Sequence, residues 1–84
     1  MVADVNITIW NRSSETIWYV YISPSSASDW GTDRLGSAVI GPDEVMTFTV
    51  NSGTYDIKVE DSNHISLRVQ YDIPIQQSIT WEVR

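Results

Sequence analysis

Oxygen-bearing side chains gather in two segments of this chain, and the chemistry that they suggest is metal binding. Asp29 and Asp33 lie in a long polar segment, and a second acidic stretch covers residues 60–63. Calcium takes about six to eight oxygen ligands from carboxylates, amides, backbone and water, and it tolerates irregular loops. If the two segments meet, they predict a Ca²⁺ site formed by Asp29, Asp33, Asp56, Glu60, Asp61 and Asn63.

The same residues also have a simpler interpretation. Asp56 joins the set because it lies two pleats before Glu60 on the same outward face of an alternating strand. Aspartate, asparagine and serine are, however, common turn residues, so the two segments also fit ordinary solvated turns. In that interpretation Asp33 caps the long loop, and Asp56 accepts backbone hydrogen bonds that hold the loop in place.

Aromatic side chains offer a second kind of site, since the chain has four tryptophans and four tyrosines. Exposed aromatic rings can stack against sugar rings, so Trp10, Trp18 and Trp30 form a candidate carbohydrate-binding set. A small domain has little core, however, and a tryptophan in a loop often helps to close it. We therefore expect Trp30 to cover the open end of the fold and Trp81 to fill its core.

Enzymatic chemistry finds little support in the sequence. The chain has no cysteine, which excludes a thiolate nucleophile and a zinc–thiolate site. A serine–histidine–aspartate arrangement would depend on the single histidine, His64, which we expect at a turn near solvent. Neither a nucleophile elbow nor a phosphate-binding glycine loop is present. The sequence thus predicts a noncatalytic protein.

Charge and composition limit the classes of molecule that this chain can bind. Eleven acidic residues against five basic ones give a net charge of −6, which repels nucleic acid and anionic membranes. No apolar run approaches the ~20 residues that span a bilayer. The first ten residues do not resemble a signal peptide, so we expect a cytoplasmic protein, or a module trimmed from an exported one. A protein partner or self-association through edge strands is compatible with this composition.

Alternation with a period of two runs through the chain, and helical periodicity is absent. It predicts strands at residues 4–10, 16–22, 46–50, 55–59, 65–71 and 78–83, with a short seventh at 37–40. Residues 16–22 are apolar on both faces, as in a central strand. Residues 51–53 suit a hairpin with Gly53 at positive φ, and Pro74 marks an edge strand or a connection. The prediction is one domain, residues 1–84, an antiparallel β-sandwich of six or seven strands, with a small β-barrel as the alternative.

Two segments carry a family resemblance. Residues 30–36, WGTDRLG, follow a Ser-Pro-Ser segment, and residues 53–61 read GTYDIKVED. Together they resemble a family of small β-sandwich modules of uncharacterised bacterial and archaeal proteins. Its motifs are Ser-Pro-Ser, Trp-Gly-x-Asp-x-Leu-Gly and Gly-x-Tyr-Asp-(Ile/Val)-(Lys/Arg)-Val-x-Asp, and the similarity covers about residues 7–83.

The resemblance implies a noncatalytic binding or interaction module, often exported or attached to other domains. Many such sequences continue with Asp-Gly-Asp, which is similar to a calcium loop. This chain departs from that pattern with Asp61-Ser62-Asn63-His64, which lacks the glycine and the second acid. The functional prediction is therefore a binding module with a Ca²⁺ site between the two acidic segments. A carbohydrate-binding module and a purely structural, self-assembling domain are the alternatives.

Overall fold

The computed structural model describes residues 4–84, which form two three-stranded sheets packed face to face. The strands are β1 (Asp4–Asn11), β2 (Tyr19–Pro24), β3 (Val45–Asn51), β4 (Gly53–Glu60), β5 (Ser66–Ile75) and β6 (Ile79–Val83). The strand orders are β3-β1-β6 and β2-β4-β5. The predicted all-β sandwich is confirmed. Nowhere in residues 4–84 is there a helix of the length and apolarity that crossing a membrane requires.

The first sheet is built around β1, whose alternating pattern sends Val5, Ile7 and Ile9 into the core. β3 pairs with it antiparallel, and β6 pairs with it parallel on the other side. The prediction of wholly antiparallel pairing is therefore wrong for β1 and β6. β6 follows β5, which belongs to the other sheet, so no hairpin joins β6 to β1 and antiparallel pairing is not imposed.

The second sheet has β4 at its centre, with β2 and β5 antiparallel on either side. Residues 61–65 join β4 to β5 in a hairpin, so the acidic stretch at residues 60–63 forms a turn, as its simpler interpretation expects. The expectation that residues 16–22 form a central strand is wrong, because β2 begins at Tyr19 and lies at the edge of its sheet. Its outward face is apolar because Tyr19 and Tyr21 pack against neighbouring side chains there.

The short segment between β3 and β4 is a crossing between sheets and not the predicted hairpin. The two strands belong to different sheets, and only Ser52 separates them. Gly53 is not among the glycines of positive φ, which in residues 4–84 are Gly31 and Gly36. The Tyr55 hydroxyl donates to the Asn51 carbonyl at 2.7 Å and stabilises the crossing.

The predicted strand at residues 37–40 is reduced to a single bridge, in which Ile40 pairs with Ile17. Asn11 holds this region to the end of β1. Its side chain is fully buried, and its amide donates to the carbonyls of Glu15 (2.6 Å) and Ile40 (2.9 Å). Its side-chain oxygen accepts from the backbone N–H (3.1 Å) and the hydroxyl (2.6 Å) of Ser13. Each polar atom of this buried side chain therefore has a partner.

Candidate ligand-binding face

The long loop after β2 lies along the free edge of that strand. The Val20 N–H donates to Asp33 Oδ1 at 2.9 Å, and the Val20 carbonyl accepts from the Arg34 N–H at 2.8 Å. The Arg34 guanidinium also donates to the Ile22 carbonyl at 2.7 Å. The loop thus supplies the hydrogen bonds that another strand would supply, and it covers an edge that would otherwise be free.

Asp33 fixes the return of this loop. Besides the Val20 N–H, its carboxylate accepts the N–H groups of Leu35 (3.1 Å) and Gly36 (3.0 Å). Gly36 has a φ of 60°, a conformation that glycine adopts without strain. The interpretation of Asp33 as a loop cap is confirmed, and Leu35, only 7% exposed, joins the core beside it.

Trp30 lies on the outward face of the second sheet, so the expectation that it covers the end of the sandwich is wrong. The Lys58 ammonium is 4.8 Å from its ring centroid, and the Tyr71 ring is 5.7 Å away at 44°. Leu35, and not Trp30, packs in the core at this end of the loop, next to the hydrogen bond that the Leu35 N–H donates to Asp33. Trp30 is half-buried, and Tyr71 is 62% exposed.

A shallow groove of about 210 Å³ runs beside these two rings. We call it the Trp30 groove, and it is lined by Ser23, Ala27, Ser28, Asp29, Trp30, Asp56 and Tyr71. Asp56 Oδ1 accepts the Ser25 hydroxyl at 2.7 Å and the Asp72 N–H at 2.9 Å. The interpretation that Asp56 accepts backbone hydrogen bonds is confirmed, and the carboxylate joins the loop to β5.

Lys58 organises the aromatic side chains on this face. Its ammonium lies 5.0 Å from the ring centroid of Tyr21, 4.8 Å from that of Trp30 and 3.4 Å from a carboxylate oxygen of Glu60. Burial raises the pKa of Tyr21, and the nearby negative charge of Glu60 raises it further. A cation within about 6 Å of a ring centroid is attracted to that ring, so Lys58 holds Tyr21 and Trp30 on the same face.

His64 lies in the β4–β5 turn with its side chain 59% exposed, which confirms the prediction of a turn residue near solvent. Its ring stacks on Tyr19 with centroids 4.0 Å apart, and Nδ1 lies 3.0 Å from Glu60 Oε1. In the described residues no serine hydroxyl hydrogen-bonds to the imidazole. The arrangement holds the turn against β2 and does not resemble a nucleophile with its base.

The six residues of the calcium prediction do not converge on one place: Asp29 and Asp56 both line the Trp30 groove, whereas Asp61 and Asn63 lie in the β4–β5 turn. Asp56 and Glu60 are opposite Ser23 and Tyr19, four residues apart along the strands and therefore about 13 Å apart. Asp29 Oδ1 accepts the Gly31 N–H at 3.0 Å. Asp61 Oδ1 accepts the N–H groups of Asn63 (2.9 Å) and Ile65 (3.0 Å), and Asn63 is exposed.

These carboxylates thus serve local backbone structure. Residues 4–84 contain no group of three or more histidine, aspartate or glutamate side chains placed to hold a metal ion. Calcium binding stays a prediction of the sequence, and the geometry of Asp33 and Asp61 gives both carboxylates another role.

The three tryptophans of the carbohydrate prediction do not form one strip. Trp10 lies outward on β1 in the other sheet, with the Arg12 guanidinium 4.7 Å from its ring. Trp18 precedes β2 and is 45% exposed. Trp30 is instead joined by Tyr71 and Lys58, neither of which sequence reasoning assigned to a site. The sequence did not indicate Tyr71 as a site residue, because a bulge after Tyr71 changes the alternation of β5, and Asp72 adopts a φ of 55° there.

Comparisons of the chain with protein-family models, with curated proteins and with solved structures found no match, so the family resemblance of residues 30–36 and 53–61 stays a prediction.

Proposed function

We propose that this chain is a noncatalytic binding module and that it recognises a neutral carbohydrate at the Trp30 groove. The observation that carries the proposal is the position of Trp30 beside Tyr71, outside the core and against a groove with polar walls. Sugar rings present apolar C–H faces edged by hydroxyl groups. A tilted pair of aromatic rings beside hydroxyl and carboxylate side chains complements both features.

Charge narrows the class of ligand. The chain carries a net charge of −6, and two of the groove residues, Asp29 and Asp56, are acidic. Carboxylates accept hydrogen bonds from sugar hydroxyls but repel sulfated or uronic polymers. The groove is also smaller than pockets that enclose a whole ligand, which are about 300 Å³ or more, so we expect a dissociation constant of about 1 mM for a short oligosaccharide.

Affinity electrophoresis and calorimetry test this proposal with a panel of neutral glycans: a β-glucan, an α-glucan, a mannan, a xylan and chitin oligosaccharides. Wild-type protein should be retarded by at least one of them. Trp30→Ala and Tyr71→Ala should abolish the retardation, whereas Trp18→Ala removes an exposed tryptophan outside the groove and should not.

Near-UV circular dichroism of each variant separates loss of binding from loss of folding. The proposal fails if no glycan of the panel retards the wild type. It also fails if Trp18→Ala weakens binding as much as Trp30→Ala does.

A further inference from the structure

Three of the four edge strands in the described chain are protected from pairing with another strand. The edge of β2 is covered by Asp33 and Arg34. β5 contains Pro74, and its pairing with β4 is interrupted by two register shifts. β6 has five residues, and the Glu82 carbonyl at its free edge accepts from the Arg68 guanidinium. Prolines, bulges, charges and short edges are the features that prevent strand addition in natural sheets.

β3 has none of these protections. Its sequence, VMTFTVN, contains no charge, no proline and no glycine, and its residues are of types that favour strands. Its pairing with β1 is regular over all seven residues. Val45 is 57% exposed, and the side chains of Met46 and Phe48 are only partly covered by the core.

The hydrogen-bonding pattern shows which groups of β3 are free. The Asn11 N–H donates to the Glu44 carbonyl, so alternate residues of β1 from Asn11 back to Val5 face β3. Their partners are Met46, Phe48 and Val50. The backbone groups of Val45, Thr47 and Thr49 therefore point away from the sheet. Within residues 4–84, no other backbone segment pairs with them.

We propose that β3 is a self-association edge, at which two copies of this chain pair antiparallel about a two-fold axis at Phe48. The sequence of the strand selects a second copy as the partner, because it is nearly symmetric about this residue. Thr47 of one copy lies opposite Thr49 of the other, and the two Phe48 rings meet on the core side. Two three-stranded sheets become one six-stranded sheet, and every interface contact away from the two-fold axis is made twice.

Charge predicts how this association depends on salt. Each copy carries a net charge of −6, while β3 itself is neutral. Salt screens the repulsion between the two copies and leaves the strand pairing unaffected. The dimer should therefore become stronger with added sodium chloride, which is opposite to the behaviour of an interface held by ion pairs.

Amide hydrogen exchange, followed by NMR at low and high protein concentration, tests the edge residue by residue. The amides of Val45, Thr47 and Thr49 should become protected as concentration rises. Those of Met46, Phe48 and Val50 already bond to β1 and should change little. This alternation would not arise from association through the Trp30 groove or through any other edge, and it needs no variant.

Sedimentation equilibrium with a matched pair of variants provides the second measurement. Thr47→Pro removes an N–H that points away from β1. Because the substitution is present in both copies, the dimer loses two hydrogen bonds and should weaken at least about tenfold. Thr80→Pro is the control, because the Thr80 N–H points to the free edge of β6 and should leave the dimer intact. Circular dichroism checks that both variants fold.

Two results would overturn the proposal. One is a wild-type mass of 9.5 kDa, the mass of a single chain, up to about 1 mM protein in 0.5 M salt. The other is a dimer whose new amide protection lies outside residues 45–51 or lacks the alternation.

Discussion

Asn11 allows the sharpest test of how the loops are held to the sheet. Its side chain is fully buried at the end of β1 and makes four hydrogen bonds. Asn11→Ala leaves the carbonyls of Glu15 and Ile40 and the N–H of Ser13 without this partner. The Ile40 carbonyl keeps the Ile17 N–H and the Glu15 carbonyl keeps the Ser13 hydroxyl, so the cost is the net loss of the four hydrogen bonds of Asn11. At about 0.5–1.5 kcal/mol for each bond, we expect a loss of about 3 kcal/mol.

That loss is large for a chain of this size, whose free energy of unfolding should be about 4–13 kcal/mol. At about 4–8 °C per kcal/mol, the melting temperature should fall by roughly 12–24 °C. Thermal melts followed by circular dichroism, with urea titrations alongside, measure the change. Asn6→Ala is the matched control, since Asn6 is exposed on the same strand and should lower stability by less than about 1 kcal/mol.

Asn11→Asp adds a pH test of the same reasoning. The carboxylate can still accept from Ser13 but faces the Glu15 and Ile40 carbonyls that the amide served. Burial raises the pKa of such an aspartate in the folded state, so stability should be lost as pH rises through its unfolded value, ~3.9, and recovered below it. An Asn11→Ala protein that melts within about 3 °C of Asn6→Ala would refute the role assigned to Asn11.

Three further predictions concern the loop, a tyrosine and calcium. Leu35→Ala should destabilise the protein by about 2–5 kcal/mol and Trp30→Ala by clearly less, because Leu35 and not Trp30 fills the core; urea titrations that reverse this order would contradict the assignment. The pKa of Tyr21 is raised in the folded state, so the stability that the protonated phenol contributes is complete below about pH 10 and lost above it. Tyr21→Phe should therefore flatten the decline in melting temperature between about pH 9 and 11. An unchanged decline would contradict the raised pKa of Tyr21. Melting curves in millimolar calcium and in EDTA should coincide, because backbone N–H groups already bond to Asp33 and Asp61; a rise of several degrees in calcium would instead establish the ion site that the sequence predicts.

Much of the fold could be predicted because its alternation is local. The pattern of Val5, Ile7 and Ile9, or of Tyr55, Ile57 and Val59, states directly which face of a strand is buried. Such a pattern does not state which sheet a strand joins. The change of sheet after Asn51 and the parallel pairing of β6 with β1 both depend on contacts between distant segments.

The candidate site was harder to predict, because its geometry depends on exceptions to alternation. Tyr71 reaches Trp30 next to a bulge at which Asp72 adopts a positive φ. Sequence reasoning recognised that Asp33 could cap the loop but could not show that this bond places Leu35, and not Trp30, against the core. The aromatic residues were identified correctly as unusual, whereas their grouping required the structure.

The position of β6 has a consequence for how the chain folds. β1 lies between β3 and β6, so the first strand of the described chain needs the last one to complete its hydrogen bonding. Closing a loop that spans nearly the whole chain costs conformational entropy, and this cost slows folding. Topologies rich in such long-range pairings fold in roughly milliseconds to seconds. During synthesis on the ribosome, one edge of β1 has no strand partner until residues 79–83 emerge. The first sheet therefore forms in full only after β6 has been synthesised. Removing β6 should therefore impair folding far more than its five residues suggest.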